Sequence, residues 1–183
     1  MIAIVDIDIY KSTMLKAGKS QSVIDEIFGG YHTLVSKTFD GFLGTRWHEM
    51  GDGAIYHFQT SNRAVDACLQ LLQDLVEFNK QHEDQLRHSP LFVRIGINAT
   101  NSENIENIPA VERGRVPSTA LDIAGKLQKN CPIGKMAISL SVYEGLALQQ
   151  RLFRPALTEH RDRQFFVLVD RLITPQEEIT RPV

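Results

Sequence analysis

Apolar positions along the chain change their period several times, and each change predicts an element. Ile2 to Ile7 (IAIVDI) is a short run rich in β-branched residues, which predicts a buried strand. Val23, Ile24, Ile27, Phe28, Tyr31, Leu34 and Val35 then recur at intervals of three and four, the spacing of one helical face. Two strand-like halves flank Gly51-Asp52-Gly53 in GTRWHEMGDGAIYHFQ, and Asp-Gly between such halves predicts a tight hairpin with Asp52 at its turn. Ser61-Asn62 can cap a second long helix whose buried stripe is Val65, Cys68, Leu69, Leu72 and Val76. LFVRIGINA, from Leu91 to Ala99, is a further strand, and the polar loop from Thr100 to about Arg115 shows no period. Pro117 and Ser118 open a helix through STALDIAGKLQKN that stops at Cys131-Pro132-Ile133-Gly134. MAISL then reads as a short strand, SVYEGLALQQ as a short helix and RQFFVLVD as the last strand.

The order β, α, hairpin, α, β, α, β, α, β predicts an α+β sandwich, a ferredoxin-like antiparallel or mixed sheet with its helices packed mainly on one face. One domain over residues 1–171 and a loosely held tail over 172–183 are expected, with no repeat or low-complexity segment. At 183 residues and 43% hydrophobic content the chain has enough apolar surface for one core. Twenty basic against 22 acidic residues give a formal charge of -2 with no long basic block, so neither a nucleic-acid nor a membrane partner is expected. A small or metal-neutralised ligand fits that balance better. Cys68 and Cys131 lie in unrelated contexts and suggest neither a disulfide framework nor a metal site. No apolar run approaches the roughly 18 residues of a membrane span and the first residues do not read as a leader, so a cytoplasmic location is expected.

Asp6 and Asp8 break the apolar run AIVDIDIYKST. Burying an unpaired carboxylate is costly, so something must compensate them. VDIDIYKS resembles the first-strand motif of class III adenylate and guanylate cyclase catalytic domains, in which Asp-Ile precedes a short loop with an aromatic residue. HEMGDGAIYHF resembles that family's Gly-Asp hairpin and VRIGIN its next signature strand. STALDIAGKLQ resembles the helix that usually reads Val-Asn-x-Ala-x-Arg, and ISLSVYEGL the strand and helix after it. From Arg151 onward the likeness is vague. Short, without a sensor domain, the chain is most similar to the stand-alone bacterial pyrimidine cyclases of antiphage defence.

The resemblance implies cyclisation of a nucleoside triphosphate: the ribose 3′-oxygen attacks the α-phosphorus and pyrophosphate leaves. It also implies two divalent ions, Mn²⁺ or Mg²⁺, held about 3.5 to 4 Å apart by oxygen ligands. On the family pattern Asp6 and Asp52 fall at the metal positions, with the Ile7 carbonyl as a further ligand, while Asp8 is a solvated carboxylate or a helix cap. The turn from Ile9 to Ser12, with Tyr10 as its aromatic residue, would aim backbone N–H groups at the triphosphate, and Lys11 would add charge.

His48 stands where ATP-using members generally carry a lysine, and Arg115 where they carry an aspartate. An aspartate accepts from the adenine amine, whereas arginine only donates. Arg115 can donate instead to a keto oxygen of uracil or guanine, and its bulk suits the smaller base. UTP is therefore favoured over CTP, with a GTP-using purine cyclase as the alternative. Asp122 aligns with the ribose-orienting asparagine and Lys126 with the transition-state arginine, whose charge the lysine keeps without the guanidinium fork. The same two residues make an i, i+4 pair that stabilises a helix by a few tenths of a kcal/mol with no function. That leaves open a degenerate nucleotide-binding dimerisation module. Arg161 and Arg163 are further candidates to reach the triphosphate. Family members set the metal aspartates of one subunit against the helix residues of the other, so a homodimer with interfacial active sites is implied. A separate cyclic-nucleotide-binding effector would read the product. A polymerase-like palm also pairs two strand carboxylates, but length and the slightly acidic charge argue against it.

Overall fold

A computed structural model describes residues 1–86, 89–101, 119–157 and 164–168. Strand β1 (Ile2–Ile9) leads through the single turn α1 (Ser12–Lys16) into helix α2 (Gln21–Gly41). The hairpin β2 (Thr45–Met50) and β3 (Gly53–Phe58) follows, then helix α3 (Ser61–Gln81) and the short α4 (Glu83–Leu86). Next come β4 (Val93–Thr100), helix α5 (Thr119–Asn130), β5 (Lys135–Ser139), α6 (Leu140–Glu144) and a 3-10 turn (Leu148–Leu152). Strands β6 (Phe153–Leu157) and β7 (Gln164–Leu168) complete one seven-stranded mixed sheet of order β2-β3-β1-β4-β5-β7-β6. Its neighbours are antiparallel except β4 and β5.

The expected α+β sandwich is thus observed, and the alternation along β1 and β4 shows how its two faces differ. Ala3, Val5, Ile7 and Ile9 point with Val93, Ile95 and Ile97 into the main core, where α2 supplies Ile27, Tyr31 and Phe39 and α3 supplies Cys68, Leu71 and Leu75. Each such fully buried large side chain stabilises the fold by about 1.5 to 3 kcal/mol. The other face carries Ile2 and Ile4, which form a smaller cluster with Ile55 of β3 and Ala124 of α5. Helix α5 lies on this second face. A Cβ on Gly96 would stand 2.1 Å from the Ala124 carbonyl oxygen, so the helix can rest on β4 only because that position is glycine. Asn98 helps hold it there, its Nδ2 donating to the Ala120 carbonyl at 3.0 Å.

Local chemistry explains where elements begin. Ser20 caps α2 by accepting from the Val23 amide at 3.4 Å, and Thr60 caps α3 by accepting from Arg63 at 3.3 Å. The α3 cap therefore falls one residue before the expected Ser61-Asn62. Val76, expected on the buried stripe of α3, is 53% exposed, whereas Leu71, Leu75 and Phe78 are buried. One residue is about 100° of helical rotation, which turns Val76 away once Leu75 faces the core. Strand β6 was not expected, because Pro155 interrupts it. Among the described strands it lies at the sheet edge and pairs with β7 alone, where a missing N–H is tolerated.

Candidate active site

Strand β1 runs to Ile9, two residues beyond the expected end at Ile7, and this decides which carboxylates meet. Asp8 pairs across the ladder with Gly53 of β3, while Asp6 pairs with Ile55, one pleat further from the hairpin turn. The Asp8 Oδ1 lies 3.5 Å from where a Cβ would stand on Gly53. Asp52, at the turn, receives the Ile9 amide on its backbone oxygen at 3.1 Å and the Ser12 hydroxyl on its carboxylate. Asp8 and Asp52 consequently share one end of the hairpin.

The electrostatics separate the two β1 aspartates in the same way. Burial raises the Asp8 pKa above the usual carboxylate range, and the Asp52 charge raises it further, while Arg94 and a Gln128 hydrogen bond oppose both. Arg94 Nη2 stands 3.6 Å from Asp8 Oδ2, and Gln128 Nε2 donates to the same oxygen at 3.4 Å. Asp6 is pushed up to about 6, first by burial and then by Asp8, with Lys129 opposing. Its Oδ2 lies 3.2 Å from the position of a Cβ on Gly125, directly under α5. The Ile7 carbonyl oxygen lies 3.0 Å from a Cβ position on Gly53, inside the β1–β3 ladder.

Oxygen donors suited to a divalent ion are therefore Asp8 and Asp52, two carboxylates whose mutual repulsion a cation would relieve. Among the described residues no group of three or more His, Cys, Asp and Glu side chains is placed to hold a metal, so a site here draws on backbone or substrate oxygens as well. The loop that follows is tightly held. The Ile9 and Tyr10 amides are both engaged inside the sheet, the latter with the Phe92 carbonyl at 2.8 Å. Lys11 is exposed in a left-handed conformation (φ 54°), its Nζ 5.2 Å from the Tyr10 ring centre, and Arg94 packs on the same ring.

Of the remaining expected site residues, Asp122, Lys126 and His48 lie apart from this pair. Asp122 and Lys126 are exposed on α5, which turns Ala124, Leu127 and Gln128 inward. The i, i+4 spacing puts both on the helix side that faces away from their own Asp8. His48 is exposed on β2 opposite Ile55, just after a register shift at Trp47. That bulge puts Trp47 against the Ile2, Ile4 and Ile55 cluster, so both neighbours are on the α5 face of the sheet. Arg115, Arg161 and Arg163 lie outside the described residues. Ser12, Arg94 and Gln128 were not singled out from sequence. Only Ser12 had a usable signal there, as a hydroxyl just after the β1 turn.

No family sequence model matches the chain, and no curated protein matches it. Solved structures do. The adenylyl cyclase CyaB from P. aeruginosa superposes with a TM-score of 0.72 at 18% identity, over 93% of this chain and 94% of that one. The guanylate cyclase domain of RhGC from Catenaria anguillulae, in complex with GTP, gives 0.69 at 13% identity, over 93% and 96%. The non-canonical dimeric guanylyl cyclase domain of RhoGC from the aquatic fungus Blastocladiella emersonii gives 0.68 at 12%, over 92% and 93%. The chain has the fold of adenylyl and guanylyl cyclase catalytic domains across nearly its whole length. No described helix is long and apolar enough to cross a membrane.

Proposed function

We propose that the protein is a metal-dependent nucleotidyl cyclase, converting a nucleoside triphosphate to its 3′,5′-cyclic monophosphate and pyrophosphate. The observation that carries this reading is the approach of Asp8, beside Gly53, to Asp52 at the turn of the β2–β3 hairpin, within a cyclase fold. Asp8 and Asp52 would hold the metal, with the Ile9 carbonyl in the part expected for Ile7, and Asp6 stays beneath α5. Divalent ions bound there supply activation of the 3′-hydroxyl and charge neutralisation at the triphosphate. Ser12 holds the Asp52 carboxylate and Arg94 holds Asp8, so both oxygen donors are oriented before substrate arrives. Lys11 adds a cation beside the triphosphate. The outward aim of Asp122 and Lys126 supports a homodimer in which a second copy brings them to the first copy's aspartates, Asp122 to the ribose hydroxyl and Lys126 to the developing phosphate charge.

For the base, the donor-only chemistry of Arg115 supports a pyrimidine, UTP before CTP, and His48 lies on the same sheet face as Asp8. Guanine also offers a keto oxygen, and the neighbour complexed with GTP keeps a purine cyclase as the second reading. Defence signalling through a separate effector belongs to the pyrimidine reading. The test is to incubate the purified protein with each of the four NTPs and Mn²⁺ and identify cyclic products by mass spectrometry. A cyclic pyrimidine nucleotide is expected from the wild type, with kcat/KM reduced more than about 100-fold in Asp8→Asn and Asp52→Asn but not in Asp6→Asn. Dominant cyclic AMP would sink the base argument. Absence of product from every NTP would sink the enzyme.

A further inference from the structure

The Gly51-Asp52 turn is gripped by a side chain of α2 as well as by Ser12. His32 of α2 places Nε2 2.7 Å from the Gly51 carbonyl oxygen, the peptide that leads directly into Asp52. A carbonyl only accepts, so Nε2 carries the hydrogen and donates. On the other side of the ring, Nδ1 stands 3.8 Å from the Glu49 carboxylate on β2, which also pairs with Arg46. The ring packs edge-on against Tyr31, which is 1% exposed, with ring centres 5.2 Å apart. Gly51 itself takes φ +56° with nothing within 4 Å of a Cβ position, so packing beside its Cα does not restrain the turn and the bond to its carbonyl does. Once Asp52 leaves the ladder, three bonds fix it: Ile9 on its backbone, Ser12 on its carboxylate and His32 on the preceding carbonyl.

From this geometry we infer that His32 is a positioning residue for the metal-binding carboxylate of Asp52. It ties the turn to the long, rigid α2 and so fixes the direction in which Asp52 presents its oxygens. Residues that orient a ligand through one intervening group typically change metal affinity by about 10- to 100-fold when removed. The inference rests on the metal reading proposed above.

The test reads metal binding without turnover. Mn²⁺ alone is titrated into the full chain, with free ion followed by electron paramagnetic resonance, for wild type, His32→Leu, His32→Gln and Asp52→Asn. His32→Leu is expected to bind Mn²⁺ about 10- to 100-fold more weakly while its circular dichroism and melting remain those of a folded protein. His32→Gln keeps an N–H donor at similar reach and should stay closer to wild type than to His32→Leu. Where His32→Leu does not fold, His32→Asn, whose amide is too short for Gly51, takes its place. Wild-type affinity in a folded His32→Leu or His32→Asn, with affinity lost in Asp52→Asn, overturns the role of His32 alone. Affinity in His32→Gln as weak as in His32→Leu also overturns it. Wild-type affinity in Asp52→Asn overturns the metal reading and this inference together.

Discussion

Among the described residues, two with side chains occupy the left-handed region that usually belongs to glycine: Lys11 at φ 54° and Leu43 at φ 60°. That conformation costs a residue with a Cβ about 1 to 2 kcal/mol. Leu43 follows α2 and completes a helix end in which the Gly44 amide donates to Phe39 and the Leu43 amide to Asp40, both at 2.9 Å. Glycine normally fills that position. Substituting glycine relieves the strain but adds about 0.5 to 1 kcal/mol of unfolded-chain entropy to overcome. A net gain of up to about 1.5 kcal/mol remains, worth at most roughly 6 °C for a chain of this length. Leu43→Gly should therefore melt higher with unchanged nucleotide binding. Lys11→Gly should melt higher and bind triphosphate more weakly, because strain there is coupled to a charge beside the proposed substrate. Scanning calorimetry with a nucleotide titration checks both. A lower melting point in Lys11→Gly refutes the strain, and unchanged affinity refutes the charge.

At the next scale, the contact between β1 and α5 shows an element interface that tolerates a poor partner. Asp6 is held under α5 with its pKa pushed up from the ordinary 3.8 to about 6, chiefly by burial and then by Asp8. The folded chain thus binds a proton that the unfolded chain releases between about pH 4 and 6, and stability falls as the pH rises through that window. Ionised Asp6 costs on the order of 3 kcal/mol at neutral pH. Asp6→Asn should raise the urea midpoint at pH 7 in metal-free buffer and remove most of the slope between pH 4 and 6, the rest belonging to Asp8. An unchanged slope would show that Asp6 is not desolvated by the helix. The same interface shows what was legible in the sequence. Helices and strands followed from the apolar pattern, because α2 and α3 bury one regular face each and β1 and β4 are short runs buried on both faces. The choice between Asp6 and Asp8 did not follow, because both occupy the same face of a strand and only the length of β1 decides which one reaches the hairpin. Edge strand β6 was hidden by Pro155, and Arg94 and Gln128 reach Asp8, as His32 reaches Gly51, only because the fold brings distant parts of the chain together.

For the whole molecule, the decisive geometric fact is that α5 has two unlike sides, one packed on the sheet and one exposed. Its inner side rests on Gly96 and donates Gln128 to Asp8, and its outer side exposes Asp122 and Lys126. A residue pair on the outer side of a helix cannot serve the carboxylates beneath the inner side without a second chain. If the proposed site is built from two copies related by a twofold axis, each dimer holds two sites, each drawing Asp52 from one protomer and Lys126 from the other. Asp52→Asn and Lys126→Ala homodimers should then both be inactive. Co-expressed with different tags and purified through both, the heterodimer carries both lesions in one site and none in the other. Its activity should return to about half that of the wild type, since one of two equivalent sites is intact. A site confined to one chain predicts the opposite result, because every chain in the mixture is then defective. Product formation in the doubly tagged heterodimer therefore distinguishes a shared site from a self-contained one, and an inactive heterodimer of wild-type mass would rule out the shared site.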